Sequence, residues 1–124
     1  MAEEFALEYV TSTMSLPAGD VITARVVNDS AVVEYVQVVI YKNTGAGAAV
    51  VLDTGRLPVG ATWAWFVTLN LMEPGEFWLR IRTSSEALVP GASFDKYEGT
   101  EAKPRMIYRP GDFAVFSLAR KRLW

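Results

Sequence analysis

Cysteine and histidine are both absent from the 124 residues. Without cysteine there is no disulfide, no thiolate nucleophile and no sulfur-ligated zinc. Without histidine, carboxylates would do any acid–base work without their commonest partner. Basic charge is in short supply as well: 12 Lys and Arg stand against 14 Asp and Glu, a net charge of -2. A nucleic-acid binder usually carries a basic surplus that displaces counterions, so no nucleic acid is expected as a partner. No stretch approaches the roughly 18 apolar residues of a membrane span. The opening MAEEFALEYV lacks the basic start and continuous apolar segment of a secretory signal. A cytoplasmic protein is expected, although a domain cut from an exported chain would read the same. Internal repeats and low-complexity segments are missing too.

What is present is apolar and aromatic. Hydrophobic residues make up 51% of the chain and charged ones 21%, with four tryptophans, five tyrosines and six phenylalanines. Burying that much apolar surface can offset the entropy of ordering the chain, and the length suits a single domain over residues 1–124.

The apolar residues recur with a period close to two, and glycine, proline and asparagine interrupt them at short intervals, which together mark an all-β domain. Phe5 to Met14 reads as an edge strand ending at Leu16-Pro17-Ala18-Gly19. In VITARVV (21–27), Ile22, Ala24 and Val26 share one face and Thr23 and Arg25 the other, as in a half-buried strand. Asn28-Asp29-Ser30 matches the glycosylation pattern but reads better as a turn. The β-branched run VVEYVQVVIYK (32–42) is expected to be central in its sheet. Two registers compete there. The aliphatic row Val36, Val38 and Ile40 favours the one that leaves Tyr35, Gln37, Val39 and Tyr41 outside.

NTGAGA (43–48) reads as a loop, AVVLDTG (49–55) as a short strand, and LPVG (57–60) as a turn. After the Glu73-Pro74-Gly75 turn, EFWLRIRTS (76–84) sets Phe77, Leu79 and Ile81 against Trp78, Arg80 and Arg82. Residues 85–109, with Pro90, Gly91, Gly99 and Pro104, read as an irregular excursion holding one short strand in ASFDKYEG. GDFAVFSLA (111–119) closes the domain. About seven to eight strands with turns at these spacings predict a sandwich of two antiparallel sheets.

From Val59 to Ile81 a glycine-led strand precedes a proline-glycine turn and the run Gly75-Glu76-Phe77-Trp78-Leu79-Arg80-Ile81, of the form G-x-Y-x-L-x-V. This stretch resembles the later strands of bacterial immunoglobulin-like and fibronectin type III-like modules, and the strand order resembles theirs over nearly the whole chain. The resemblance implies an immunoglobulin-like antiparallel β-sandwich serving as a binding or structural module. It transfers no catalytic residue, because such folds host many functions. The chain departs from the antibody pattern in lacking a cysteine pair, and from ordinary repeat modules in its long excursion.

In TWAWF (62–66) the alternation extends onward, so Trp63, Trp65, Val67, Leu69 and Leu71 share one face while Ala64, Phe66 and Thr68 share the other. The longer apolar row is expected to face the core, with Trp65 inside it and Trp63 near the rim. The outward row is of greater interest. If the strands at 32–42 and 76–84 pair as they do in immunoglobulin-like sheets, which the resemblance implies, Tyr35 and Tyr41 beside Trp78, Arg80 and Arg82 would form a face rich in the residue types enriched at binding hot spots. The bland reading is that Arg simply stacks on Trp and Tyr there, or that the excursion covers them.

Chemistry-bearing motifs are sparse. Glu3, Glu4, Glu73, Glu76 and Glu86 lie near a terminus or turns, where solvated charge is the ordinary explanation. Asp29, Asp53 and Asp112 fall in loops without a calcium-binding pattern. GAGAAV lacks the lysine and helix of a phosphate loop, and the basic tail ARKRLW reads as a solvated terminus. The expectation is a non-catalytic binding or assembly module, without cofactor or metal, whose partner is another protein or a second copy. The alternative is a carbohydrate-binding module gripping sugar with Trp63 and aromatics of the excursion, and the third reading is a small hydrolase.

Overall fold

The computed structural model describes residues 5–118. In chain order its strands are β1 (Leu7–Val10), β2 (Met14–Leu16), β3 (Val21–Asn28), β4 (Glu34–Thr44), β5 (Gly47–Asp53), β6 (Leu57–Val59), β7 (Ala64–Asn70), β8 (Gly75–Thr83), β9 (Leu88–Glu98), β10 (Glu101–Tyr108) and β11 (Ala114–Ser117). One antiparallel sheet runs β11-β1-β8-β4-β5, with β2 also beside β8 and β6 beside β4; the other runs β10-β9-β3-β7. The result is an all-β, sandwich-like architecture. Among the described residues no helix is long and apolar enough to cross a membrane.

Period-two patterning explains which side chains fill the core. Val36, Val38 and Ile40 of β4 and Phe77, Leu79 and Ile81 of β8 are buried from one sheet. Ile22, Ala24 and Val26 of β3 and Leu88, Ala92 and Phe94 of β9 are buried from the other. Each large aliphatic or aromatic side chain buried in this way contributes about 1.5–3 kcal/mol. Of the two registers open for β4, the aliphatic-inside one holds.

Strands are more numerous than the expected seven to eight, for local reasons. The edge strand expected from Phe5 to Met14 is two short strands, both laid on β8, and β11 covers the far side of β1. The break falls at Thr11, whose hydroxyl accepts from the Leu79 N–H at 3.0 Å while its own N–H donates to the Leu79 carbonyl at 3.1 Å. LPVG, expected as a turn, carries β6, paired to β4.

The largest correction concerns residues 85–109, which form a hairpin rather than an irregular excursion. Its strand β9 bonds to β3 on one side and β10 on the other. Leu88, Pro90, Ala92 and Phe94 keep the alternation inward, but Pro90 and Gly91 hide it in the sequence. Pro104 is tolerated because β10 is a sheet edge and its register shifts between Pro104 and Met106. Arg105 ties β10 down through Asp20, 85 residues away, with contacts of 2.5 and 3.3 Å to the two carboxylate oxygens. The closing strand is shorter than expected, following a 3-10 turn over Pro110–Asp112. The tail from residue 119 onward, and Glu3 and Glu4, lie outside the described residues.

Trp65 is corrected in degree. It points toward the core with Val67 and Leu69, but all three are half-buried because β7 is the last strand of its sheet. Leu71, just beyond, is buried.

Asn28 is fully buried, and its side chain joins three segments. The amide nitrogen donates to the carbonyls of Val32, Val59 and Gly60 at 2.8, 2.9 and 3.2 Å, and the amide oxygen accepts from Ser30 at 2.8 Å. The Asn-Asp-Ser triplet is therefore a structural turn, and its amide is not free for a sugar. Asn28→Ala should lower stability by about 3 kcal/mol, because the carbonyls it serves lose their donor inside the protein. Asn28→Asp should also destabilise, since a carboxylate cannot donate to carbonyls. Urea denaturation measures both; an unchanged midpoint would show that the node is dispensable. Hydrogen exchange should place β9 among the slowest amides with β10 faster, and fast exchange throughout 88–108 would overturn the hairpin.

Candidate functional site

Because β8 buries Phe77, Leu79 and Ile81, its alternate side chains Trp78, Arg80 and Arg82 stand on the outer face of the larger sheet. The ladder with β4 puts Tyr41 opposite Trp78, Val39 opposite Arg80 and Gln37 opposite Arg82. Tyr35 lies one step past Val36, the last β4 residue paired with β8. Five of the six residues singled out from sequence thus share one face. Trp63 does not join them. It precedes β7 in the other sheet, is 69% exposed, and its ring lies against Gly60, where a Cβ would sit 3.2 Å from the indole.

The face is built from fixed contacts. The rings of Tyr41 and Trp78 stack with centroids 4.1 Å apart and planes 15° from parallel, and the indole N–H donates to Asn43 Oδ1 at 3.0 Å. The Arg80 guanidinium sits 5.4 Å from the Tyr41 ring centroid. Glu8, brought alongside by β1, offers one carboxylate oxygen to two arginines: Oε1 lies 2.8 Å from Arg82 Nε and 3.4 Å from Arg80 Nε. Farther along, Arg56 lies 3.5 Å over the Tyr35 ring, and Gln37 donates to Asp53 at 2.9 Å.

Val39, in the middle of this face, is only 2% exposed. Its neighbours on either side in the ladder are Arg80 and Asp53, so long polar side chains lie across it and close a thin second layer. The result is a flat platform of half-buried aromatic and guanidinium groups that is already assembled. Its charged members include Arg80 and Arg82, both beside Glu8, and Asp53 next to Gln37.

Glu8, Arg56 and Phe116 were not singled out from sequence, and Asp53 was weighed only as a loop carboxylate for calcium, not as a member of this face. Glu8 carries a readable signal, an acid flanked by Leu7 and Tyr9 in an alternating strand. Phe116 faces Glu8 across the β1–β11 ladder and is 52% exposed, extending the face by one aromatic. Nothing in the sequence brings Asp53 or Arg56 to β4, because a bulge in the β4–β5 ladder after Ile40 and the loop after β5 set their positions.

Clefts also lie elsewhere among the described residues, among them two on or beside the smaller sheet. One, of about 270 Å³, sits on the outer face of the smaller sheet and is lined by Thr23, Arg25, Ser93, Asp95 and Ile107 among others. The second, of about 250 Å³, opens where β7 approaches the larger sheet and is lined by Lys42, Val51, Leu69, Met72, Glu73 and Phe77 among others. Each holds one carboxylate. Among the described residues no group of three or more metal-ligating side chains gathers, Asp29, Asp53 and Asp112 included.

The Gln37 amide, more than any other group, holds the Asp53 carboxyl below its ordinary value, with the Gly55 N–H next; desolvation opposes them, and Arg80 and Arg82 add lesser lowering effects. A depressed folded value means that this group stabilises the fold at neutral pH, and that the contribution is lost as acid titrates the folded carboxylate. By NMR titration Asp53 should lose its charge below the usual aspartate value of about 3.9, and Gln37→Ala should raise its pKa toward that value. An Asp53 that titrates identically in both proteins would show that the Gln37 contact is absent in solution.

No protein-family model matches the chain, and no curated protein matches it. Among solved structures, the crystal structure of Thermotoga maritima 1070 is similar, with a TM-score of 0.60 over 85% of this chain and 92% of that one, at 8% sequence identity. The likeness is one of backbone fold, and at that identity it extends to no side chain.

Proposed function

We propose that the chain is a non-catalytic binding or assembly module with an immunoglobulin-like sandwich, acting through the outer face of its larger sheet. The observation that carries this reading is the platform of Tyr35, Tyr41, Trp78, Arg80 and Arg82, held in place by Glu8 and by ring stacking before any partner arrives. A preformed face of this kind loses little side-chain entropy on association, and Tyr, Trp and Arg are the residue types from which binding hot spots are made. The side-by-side pairing of β4 with β8 supports the immunoglobulin-like reading. The partner would be a protein or a second copy, presenting carboxylates or carbonyls to the arginines and a flat apolar group to the stacked rings.

Carbohydrate binding on Trp63 is the second reading, favoured by the exposure of that indole. Against it, Trp63 lies at the end of the smaller sheet where Asn28 pairs with Leu88, whereas Tyr97, the exposed aromatic of the hairpin, lies beyond the opposite end of β3. Leu88 and Tyr97 are nine positions apart along β9, roughly 30 Å at strand rise, so the two rings do not make one sugar platform. A hydrolase of the glycosidase kind would need two carboxylates in one cleft, and each of the two clefts described above is lined by one.

The test is Trp78→Ala combined with Arg80→Ala. Affinity for a partner, or for a second copy through this face, should fall by about 1–3 kcal/mol while the thermal midpoint drops only a few degrees. Unchanged association in a folded double variant would remove this face from consideration. Glycan-array binding that is lost on Trp63→Ala would favour the carbohydrate reading instead.

A further inference from the structure

The two sheets leave exposed strand edges, and one differs from the others. An unpaired edge is a ready template for another chain, so proteins commonly blunt it with proline, charge, a bulge or shortness. Edge strand β10 carries Lys103, Pro104, Arg105 and a register shift. Strand β5 is bulged opposite Ile40–Tyr41 and begins at a glycine. Strand β11 has four residues. Strand β7, AWFVTLN, has seven residues and none of these protections. It contains no charge and no proline, and its register against β3 runs without a shift from Ala64 to Asn70.

The direction of its backbone groups follows from two hydrogen bonds. The Trp63 carbonyl accepts from Asn28 at 2.8 Å, and the Leu71 N–H donates to the Asp20 carbonyl at 2.8 Å, so odd-numbered residues face β3. In an antiparallel ladder the N–H and C=O of one residue point to the same side and successive residues alternate. Ala64, Phe66, Thr68 and Asn70 therefore aim their N–H and C=O groups away from the sheet, along an edge where no strand of the described residues lies.

We propose that β7 pairs antiparallel with β7 of a second copy, about a two-fold axis passing beside Val67. That axis sets Phe66 opposite Thr68 of the second copy and Ala64 opposite its Asn70. All four outward-facing residues of each copy then fall at hydrogen-bonded positions, and the outward N–H and C=O groups are satisfied in pairs. A strand without charge can lie against itself without like-charge repulsion. The same axis joins the half-buried inward row: Trp65 comes beside Leu69 of the second copy and Val67 beside Val67, continuing one apolar layer across both molecules. Outside the ladder, it brings the end carrying Trp63 (69% exposed) toward the other copy's end carrying Met72 (87% exposed). The product is a continuous eight-stranded sheet, β10-β9-β3-β7 followed by its symmetry copy, with the Tyr41–Trp78 platform left free on each molecule's other sheet. A second copy is the occupant because the edge is complementary to itself at the axis that satisfies its backbone.

Thr68→Pro tests this directly. The Thr68 N–H points outward, so proline removes a backbone bond to the second copy and no backbone bond to β3, costing within the molecule only the exposed 3.5 Å contact between the Thr68 and Thr23 hydroxyls. The full chain should sediment as a dimer at protein concentrations of about 100 µM and dissociate on dilution. Thr68→Pro should be monomeric there, with an unchanged circular dichroism spectrum. Should proline strain the strand, Phe66→Lys combined with Thr68→Lys sets like charges across the axis on exposed side chains and should give the same result. Hydrogen exchange supplies a fingerprint: Phe66 and Thr68 amides should gain protection of at least about tenfold with concentration, while Trp65 and Val67 stay protected throughout. A monomer at all concentrations, or a dimer that persists in both folded variants, would overturn the proposal. A dimer broken by Trp78→Ala with Arg80→Ala and not by Thr68→Pro would assign association to the aromatic face instead.

Discussion

The ladder between β4 and β8 is the constraint on which most of this molecule depends. Seven consecutive positions, from Val36 opposite Thr83 to Lys42 opposite Phe77, are paired without a slip. Because successive side chains in a strand point to opposite faces, that register decides two surfaces at once. Inward, it stacks Val38 and Ile40 against Ile81 and Leu79. Outward, it lines up Tyr41 with Trp78 and places Arg80 and Arg82 beside Val39 and Gln37. A slip of one residue would put the aliphatic row in water and the arginines in the core, so the apolar core holds the outer platform in register as firmly as it holds itself.

Around that ladder, buried polar groups do what disulfides cannot do in a chain without cysteine. Asn28 holds the β3–β4 and β6–β7 connections with one amide. Asp20, also buried, reaches Arg105 on β10. Thr11 lets the chain break between β1 and β2 without leaving the Leu79 backbone unpaired. A buried polar group that loses its partner costs more than an exposed one gains, so these contacts specify one arrangement of loops.

The two sides of the sandwich differ in finish. The larger sheet's outer face is covered by its own aromatic, arginine and carboxylate side chains and offers a rigid patterned surface. The smaller sheet ends at β7 with bare backbone and a half-covered apolar row. One presents patterned side chains and the other an uncharged strand edge.

Alternation by itself determined the all-β class, the inward rows of β3, β4 and β8, and the outward rows of Tyr35 and Tyr41 on one strand and Trp78, Arg80 and Arg82 on another, because a strand's period of two is a local property that burial enforces; that the two rows lie side by side was decided by the pairing of β4 with β8. The hairpin at 88–108 was hidden because proline and glycine break the pattern locally, while pairing to β3 on one side and the edge position of β10 on the other make them tolerable. Only the tertiary structure decided that Trp65 is half-buried, since β7 ends its sheet and nothing in TWAWF states how many strands lie beyond it. The same is true of Glu8, Asp53 and Arg56, whose contacts on the platform bridge 74 residues between Glu8 and Arg82. Sheet order brings such residues together, and sheet order is set by the packing of the whole chain.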